Sequence, residues 1–85
     1  HALQRMFQRG LSAADVQRVL DTGRTIERYT DDRPYPSRLV LGWLGTQPIH
    51  VVVADNRGEK ETIAITVYEP DPARWEPGFQ RRRRT

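Results

Sequence analysis

The sequence predicts an α+β domain: two N-terminal helices packed on one face of a four-stranded antiparallel sheet, with a short C-terminal extension. Two observations carry this. Up to Gly23 the apolar residues recur at helical spacing, and beyond it they alternate. The alternating segments are joined by short connections, which suit antiparallel neighbours rather than crossovers. Eighty-five residues make one domain, with residues 1–80 as its body and 81–85 as a basic tail.

The first helix is read from "HALQRMFQRG", where Leu3, Met6, Phe7 and Gly10 share one face and Gly10 is a plausible stop. The second is "SAADVQRVLDTG". Ser12 is its N-cap, Asp15 completes a capping box, Val16, Val19 and Leu20 form the apolar stripe, and Gly23 ends it. Strands follow at "RTIERY", "RLVLGWL", "IHVVVA" and "ETIAITVY", separated by "TDDRPYPS", "GTQP" and "DNRGEK", all rich in turn formers. Leu39, Leu41 and Trp43 share a face of the second strand. Prolines 70, 72 and 77 bar "EPDPARWEPG" from a central strand, so it is a turn or one helical turn, with Trp75 and Phe79 packing back on the domain.

A chain of this size buries only about 60–65% of its unfolded surface, so the core is thin. It has no cysteine to staple it. The longest apolar run, Val51 to Ala54, falls far short of the roughly 18 residues of a membrane span. No signal-peptide pattern is present, so a cytoplasmic protein without a membrane partner is expected. The chain opens on His1 rather than methionine, which leaves open whether residues precede it.

The net charge of +3 belongs to the tail: without Arg81 to Arg84 the balance is 10 basic against 11 acidic residues, or −1. Thirteen of the 14 basic residues are arginine, which grips phosphate and carboxylate as a planar fork, although GC-rich coding also favours it.

Alternation assigns Ile49, Val51 and Val53, with Ile63, Ile65 and Val67, to the core. His50, Val52 and Ala54 then face away, as do Thr62, Ala64, Thr66 and Tyr68. A turn near residues 57–59 sets His50 opposite Tyr68 or opposite Thr66, so histidine and tyrosine come within reach of one substrate, provided no bulge intervenes. On the first helix His1, Arg5 and Arg9 form one stripe suited to an anion, or simply a solvated face. A metal site is not expected: the two histidines lie 49 residues apart, and nothing resembles H-E-x-x-H. No glycine-rich phosphate loop, G-x-S-x-G motif or thiol nucleophile is present, and no cofactor is implied.

Taken together, "HALQRMFQRGLSAADVQRVLDTG", "RPYPSRLVLGW", "PIHVVVA" and "ITVYEPD" resemble a bacterial and archaeal family of small proteins long labelled a domain of unknown function. Its members look like toxins of type II toxin–antitoxin modules, distantly similar to the RelE, MqsR and BrnT ribonuclease toxins and often encoded beside a YgiT-type zinc-finger antitoxin. The H-A-x-x-R-M motif is carried by His1, Ala2, Arg5 and Met6. The P-x-H-V-V motif is carried by Pro48, His50, Val51 and Val52, and I-T-V-Y-E-P runs from Ile65 to Pro70.

The resemblance implies a RelE-like fold of the BECR type and a metal-independent endoribonuclease acting on mRNA, on the ribosome or free, with a zinc-finger or other small antitoxin as partner. Such a reaction needs a base for the 2′-hydroxyl, an acid for the 5′-oxygen and positive charge at phosphorus. His50 is the expected base and Tyr68 the acid or phosphate donor, with His1 as alternative acid. Arg5, Arg9 and Arg38 are the expected phosphate ligands, and Tyr35 stacks on a base. If both helices cover the core face, His1 and Arg5 point away from His50 and organise structure instead. The rival is a non-catalytic RNA- or protein-binding module, an inactive toxin homologue or regulator, in which the arginine tail grips phosphates or docks an acidic antitoxin.

Overall fold

A computed structural model describes residues 11–83. One helix, α1 (Ala13–Thr22), precedes four strands: β1 (Arg24–Tyr29), β2 (Ser37–Leu44), β3 (Gln47–Asn56) and β4 (Glu61–Tyr68). The strands form one sheet in the order β1-β2-β3-β4, each pair antiparallel. The α+β arrangement with two helices on the sheet is thereby corrected to a mainly β domain with one ten-residue helix among the described residues. The segment read as a first helix, residues 1–10, lies outside the described residues. The physical reason for the β character is that alternating sequence runs from Arg24 to Tyr68 with only short interruptions. No helix among the described residues is long and apolar enough to cross a membrane.

The helix starts as its sequence dictates. The Ser12 hydroxyl accepts from the Asp15 amide at 3.1 Å, and the Asp15 carboxylate accepts from the Ser12 amide at 3.0 Å. Together they satisfy two of the amides a helix start leaves unpaired. Val16 and Val19 face the sheet and join Leu11, Val40, Ile49, Val51, Val53 and Val67 in the core. Full burial of one such side chain contributes about 1.5–3 kcal/mol. Gly42 of β2 lets the helix approach closely: a Cβ there would stand 2.6 Å from Val19 Cγ1. Gly23 alone links helix to strand, wedged where a Cβ would meet the carbonyl oxygens of Val19 and Leu41. In the β2–β3 turn, Gly45 takes the left-handed conformation (φ 65°) that a tight hairpin requires.

Two bulges set the faces of the sheet. Near the β3–β4 turn Ala54 pairs with Ile63 and Val53 with Ala64, but Val52 pairs with Thr66, leaving Ile65 as the extra residue. Continued from the turn without that residue, the register would set His50 against Val67. The bulge moves Tyr68 into place opposite His50. It also puts Ala64 on the helix face and leaves Ile63 and Ile65 exposed at 38% and 44%, correcting their assignment to the core. In β1 the corresponding extra residue is Ile26, between Thr25 and Glu27.

The second face of the sheet is covered by the C-terminal segment. Asp71 opens a single turn, its carbonyl accepting from the amides of Arg74 and Trp75. The chain reverses through Gly78 and Phe79, both at positive φ, and returns to pair Trp75 with Arg82. Trp75 is buried against the sheet, as are Leu39, Leu41 and His50 on this face.

Candidate functional site

β3 and β4 deliver His50 and Tyr68 as directly opposed residues, on the face away from α1. His50 is fully buried, and both ring nitrogens have partners. Nδ1 lies 3.1 Å from the Tyr68 hydroxyl, and Nε2 lies 3.0 Å from the Phe79 carbonyl oxygen. A carbonyl only accepts, so Nε2 carries the proton and donates to Phe79. In the neutral ring Nδ1 then offers a lone pair, and the Tyr68 O–H donates to it. The Trp75 ring packs edge-on against the imidazole, with centroids 4.4 Å apart.

Burial chiefly pulls His50 below its ordinary pKa, with Arg82 acting the same way. The Phe79 carbonyl and the Glu27 charge oppose the shift without reversing it. The ring is therefore neutral near pH 7 and able to accept a proton. Burial also raises the Tyr68 phenol above its ordinary value. Tyr68 keeps partial exposure while His50 has none, so an incoming molecule meets the phenol first.

Beside this pair lies a second polar group. Glu27 and Tyr29, two residues apart on β1, share a face, and the Tyr29 hydroxyl donates to Glu27 at 2.5 Å. Arg82 reaches back to the same carboxylate at 3.2 Å and sets its guanidinium 4.7 Å from the centre of the Trp75 ring. Burial alone would raise Glu27, but the Tyr29 hydroxyl and Arg82 outweigh it and hold the carboxyl below its usual range. Tyr29 is raised by burial and by its bond to Glu27.

The structure places Arg38 and Tyr35 elsewhere. Arg38 lies on the helix face, opposed to Val53, where it is bound to Asp55 at 2.9 Å and to Thr25 at 3.1 Å. Tyr35 precedes the Ser37 end of β2, about 14 Å of strand from Leu41, the residue opposite His50. His1, Arg5 and Arg9 lie outside the described residues. Glu27, Tyr29 and Arg82 are the members of the site that sequence reasoning misses. The Glu27–Tyr29 spacing within "RTIERY" is a usable signal, whereas Arg82 is indistinguishable from its neighbours in an arginine run. Among the described residues no three His, Cys, Asp or Glu side chains gather as a metal site would require.

The fold and site thus define a small, mainly β domain in which a buried histidine is paired with a partly exposed tyrosine. The chain belongs to the DUF4258 family, a domain of unknown function, whose model matches residues 1–69. No curated protein and no solved structure matches it. The family match ends at Glu69, so the sheet with His50 and Tyr68 falls inside it and the covering segment with Trp75, Phe79 and Arg82 falls beyond.

Proposed function

We propose that the protein is a toxin of a type II toxin–antitoxin module, a metal-independent endoribonuclease in which Tyr68 meets the RNA and His50 stands behind it as base. The observation that carries this reading is the chain of hydrogen bonds from the Phe79 carbonyl through His50 to the Tyr68 hydroxyl. It fixes the tautomer and aims a basic nitrogen at the hydroxyl of Tyr68, the partly exposed member of the pair. As the ribose 2′-hydroxyl attacks phosphorus, its proton passes to the Tyr68 oxygen while the Tyr68 proton passes to Nδ1. The bond from phosphorus to the 5′-oxygen breaks, and the pair returns the proton to that oxygen. The products are a 2′,3′-cyclic phosphate and a 5′-hydroxyl. Arg82, whose charge is felt at both Tyr68 and His50, offsets negative charge developing on the phosphate. A small zinc-finger antitoxin is the partner this reading implies.

One observation favours a second reading. His50 is fully buried with both nitrogens engaged, which also suits a fastener holding the C-terminal segment to the sheet of a non-catalytic binding module. Labelled mixed-sequence RNA, with and without ribosomes, incubated in excess EDTA separates the two. Wild-type protein should give discrete fragments ending in 2′,3′-cyclic phosphate. Tyr68→Phe, which removes one hydroxyl and keeps the ring, should cut the rate by about 10²-fold or more. Undiminished cleavage by Tyr68→Phe would sink the catalytic role. RNA bound but uncut would favour the binding module.

A further inference from the structure

Beside β1, at the sheet's edge, the C-terminal segment leaves an open cleft of about 340 Å³ lined by Arg24, Thr25, Ile26, Gln80 and Arg81. Its volume falls at the lower end of the roughly 300–1,000 Å³ typical of ligand sites. The lining is mostly polar, and both its charges are positive. Among the described residues the arginines of the tail differ sharply in what they do. Arg82 is engaged with Glu27 and the Trp75 ring, and Arg83 donates to the Pro72 carbonyl at 2.8 Å. The guanidiniums of Arg24 and Arg81 make no hydrogen bond or ion pair with another described residue, although Glu76 lines the next hollow beside Arg81. Two arginine forks that pair with no other described residue line one cleft together with Gln80, and such forks suit the oxygens of a phosphodiester; the Thr25 hydroxyl is engaged by Arg38 on the helix face.

We propose that this cleft binds a backbone phosphate of an RNA strand, remote from the bond that is cut. The inference deepens the ribonuclease reading and rests on it for the choice of RNA as ligand. Arg24 opposes Leu41, Leu41 opposes His50, and His50 opposes Tyr68, so Arg24 and Tyr68 end one row across the four strands. Three strand spacings separate them by about 14 Å, a span that a few nucleotides cover. A phosphate held at that distance anchors the strand without touching the reacting atoms. Removing the cleft's charges therefore weakens binding and leaves the chemical step unchanged.

The test uses a fluorescently labelled 2′-O-methyl RNA oligonucleotide, which binds but has no free 2′-hydroxyl to react. Anisotropy titrations compare the full chain with Arg24→Gln/Arg81→Gln and with the control Arg18→Gln/Arg57→Gln, which removes two exposed charges elsewhere. All four arginines are exposed, and a matching circular dichroism spectrum confirms folding. The cleft variant should lose affinity on the order of tenfold. Its slope of log K against log salt should shrink by about 0.7 for each phosphate it no longer neutralises. The control should keep both. An equal loss in both variants, or no RNA binding by the wild type, overturns the cleft. So does polyglutamate competing as tightly as RNA, which would make the cleft an acidic-protein site. Cleavage of ordinary RNA is scored separately: cleavage unaffected by the cleft variant at limiting RNA refutes the cleft alone. Binding that depends on the cleft, with no cleavage by the wild type, upholds the cleft as a phosphate site and refutes the nuclease reading.

Discussion

His50 occupies a position where a polar ring is costly unless both nitrogens are bonded, and the fold bonds both. That arrangement has a pH signature. Burial lowers the folded-state pKa of His50, so as pH falls the unfolded chain takes up its proton first. The contribution of neutral His50 is therefore complete above the ordinary histidine value of about 6.5 and declines as pH drops through it. Glu27, held below its ordinary value, acts in a lower window: its contribution is complete above about pH 4.5 and declines below it. Urea midpoints of the wild type should fall between about pH 7 and 5.5, whereas His50→Gln, less stable throughout, should be nearly flat over that interval. An unchanged slope in the variant would remove His50 from the titration.

At the scale of elements, the packing of α1 on β2 turns on a pair of residues. Gly42→Ala would press a methyl group against Val19, where Cγ1 is 2.6 Å and Cα 3.0 Å away, and should cost about 1–3 kcal/mol by urea denaturation. Val19→Ala opens a cavity of its own in the core. The double variant should be more stable than the two losses added together, because the smaller side chain makes room for the new methyl. Strict additivity would mean that the helix shifts instead of colliding. These elements are largely legible in the sequence: Ser12 and Asp15 announce the helix, and an apolar, valine-rich run between turn formers announces β3. The bulges are not. "TIAITV" alternates whether or not Ile65 is looped out, so nothing local distinguishes the two registers, and alternation alone turns Ile63 and Ile65 to the wrong face. The His50–Tyr68 pairing is expected from an unbroken hairpin and arises in fact from a broken one.

Across the whole molecule, the second face of the sheet depends on a segment held by few interactions. Trp75 supplies the buried surface, His50 one hydrogen bond to Phe79, the Phe79 ring an edge-on contact with Trp43 of β2, and Arg82 an ion pair to Glu27 together with its position over Trp75. The ion pair is largely exposed on the arginine side, so its own contribution is at most about 1 kcal/mol. The sheet, by contrast, is tied through three ladders and one continuous apolar cluster. Such a division should let the segment open without unfolding the sheet. Arg82→Ala removes the ion pair and the guanidinium over Trp75 while leaving the core intact. Amides that close the segment, Glu76 to the Arg81 carbonyl and Arg83 to the Arg74 carbonyl, should then exchange with solvent several-fold faster. The amides of the β2–β3 ladder should be unaffected. Acceleration of both sets by one factor would show instead that cover and sheet unfold as a single unit. His50 would then be exposed to solvent only by global unfolding.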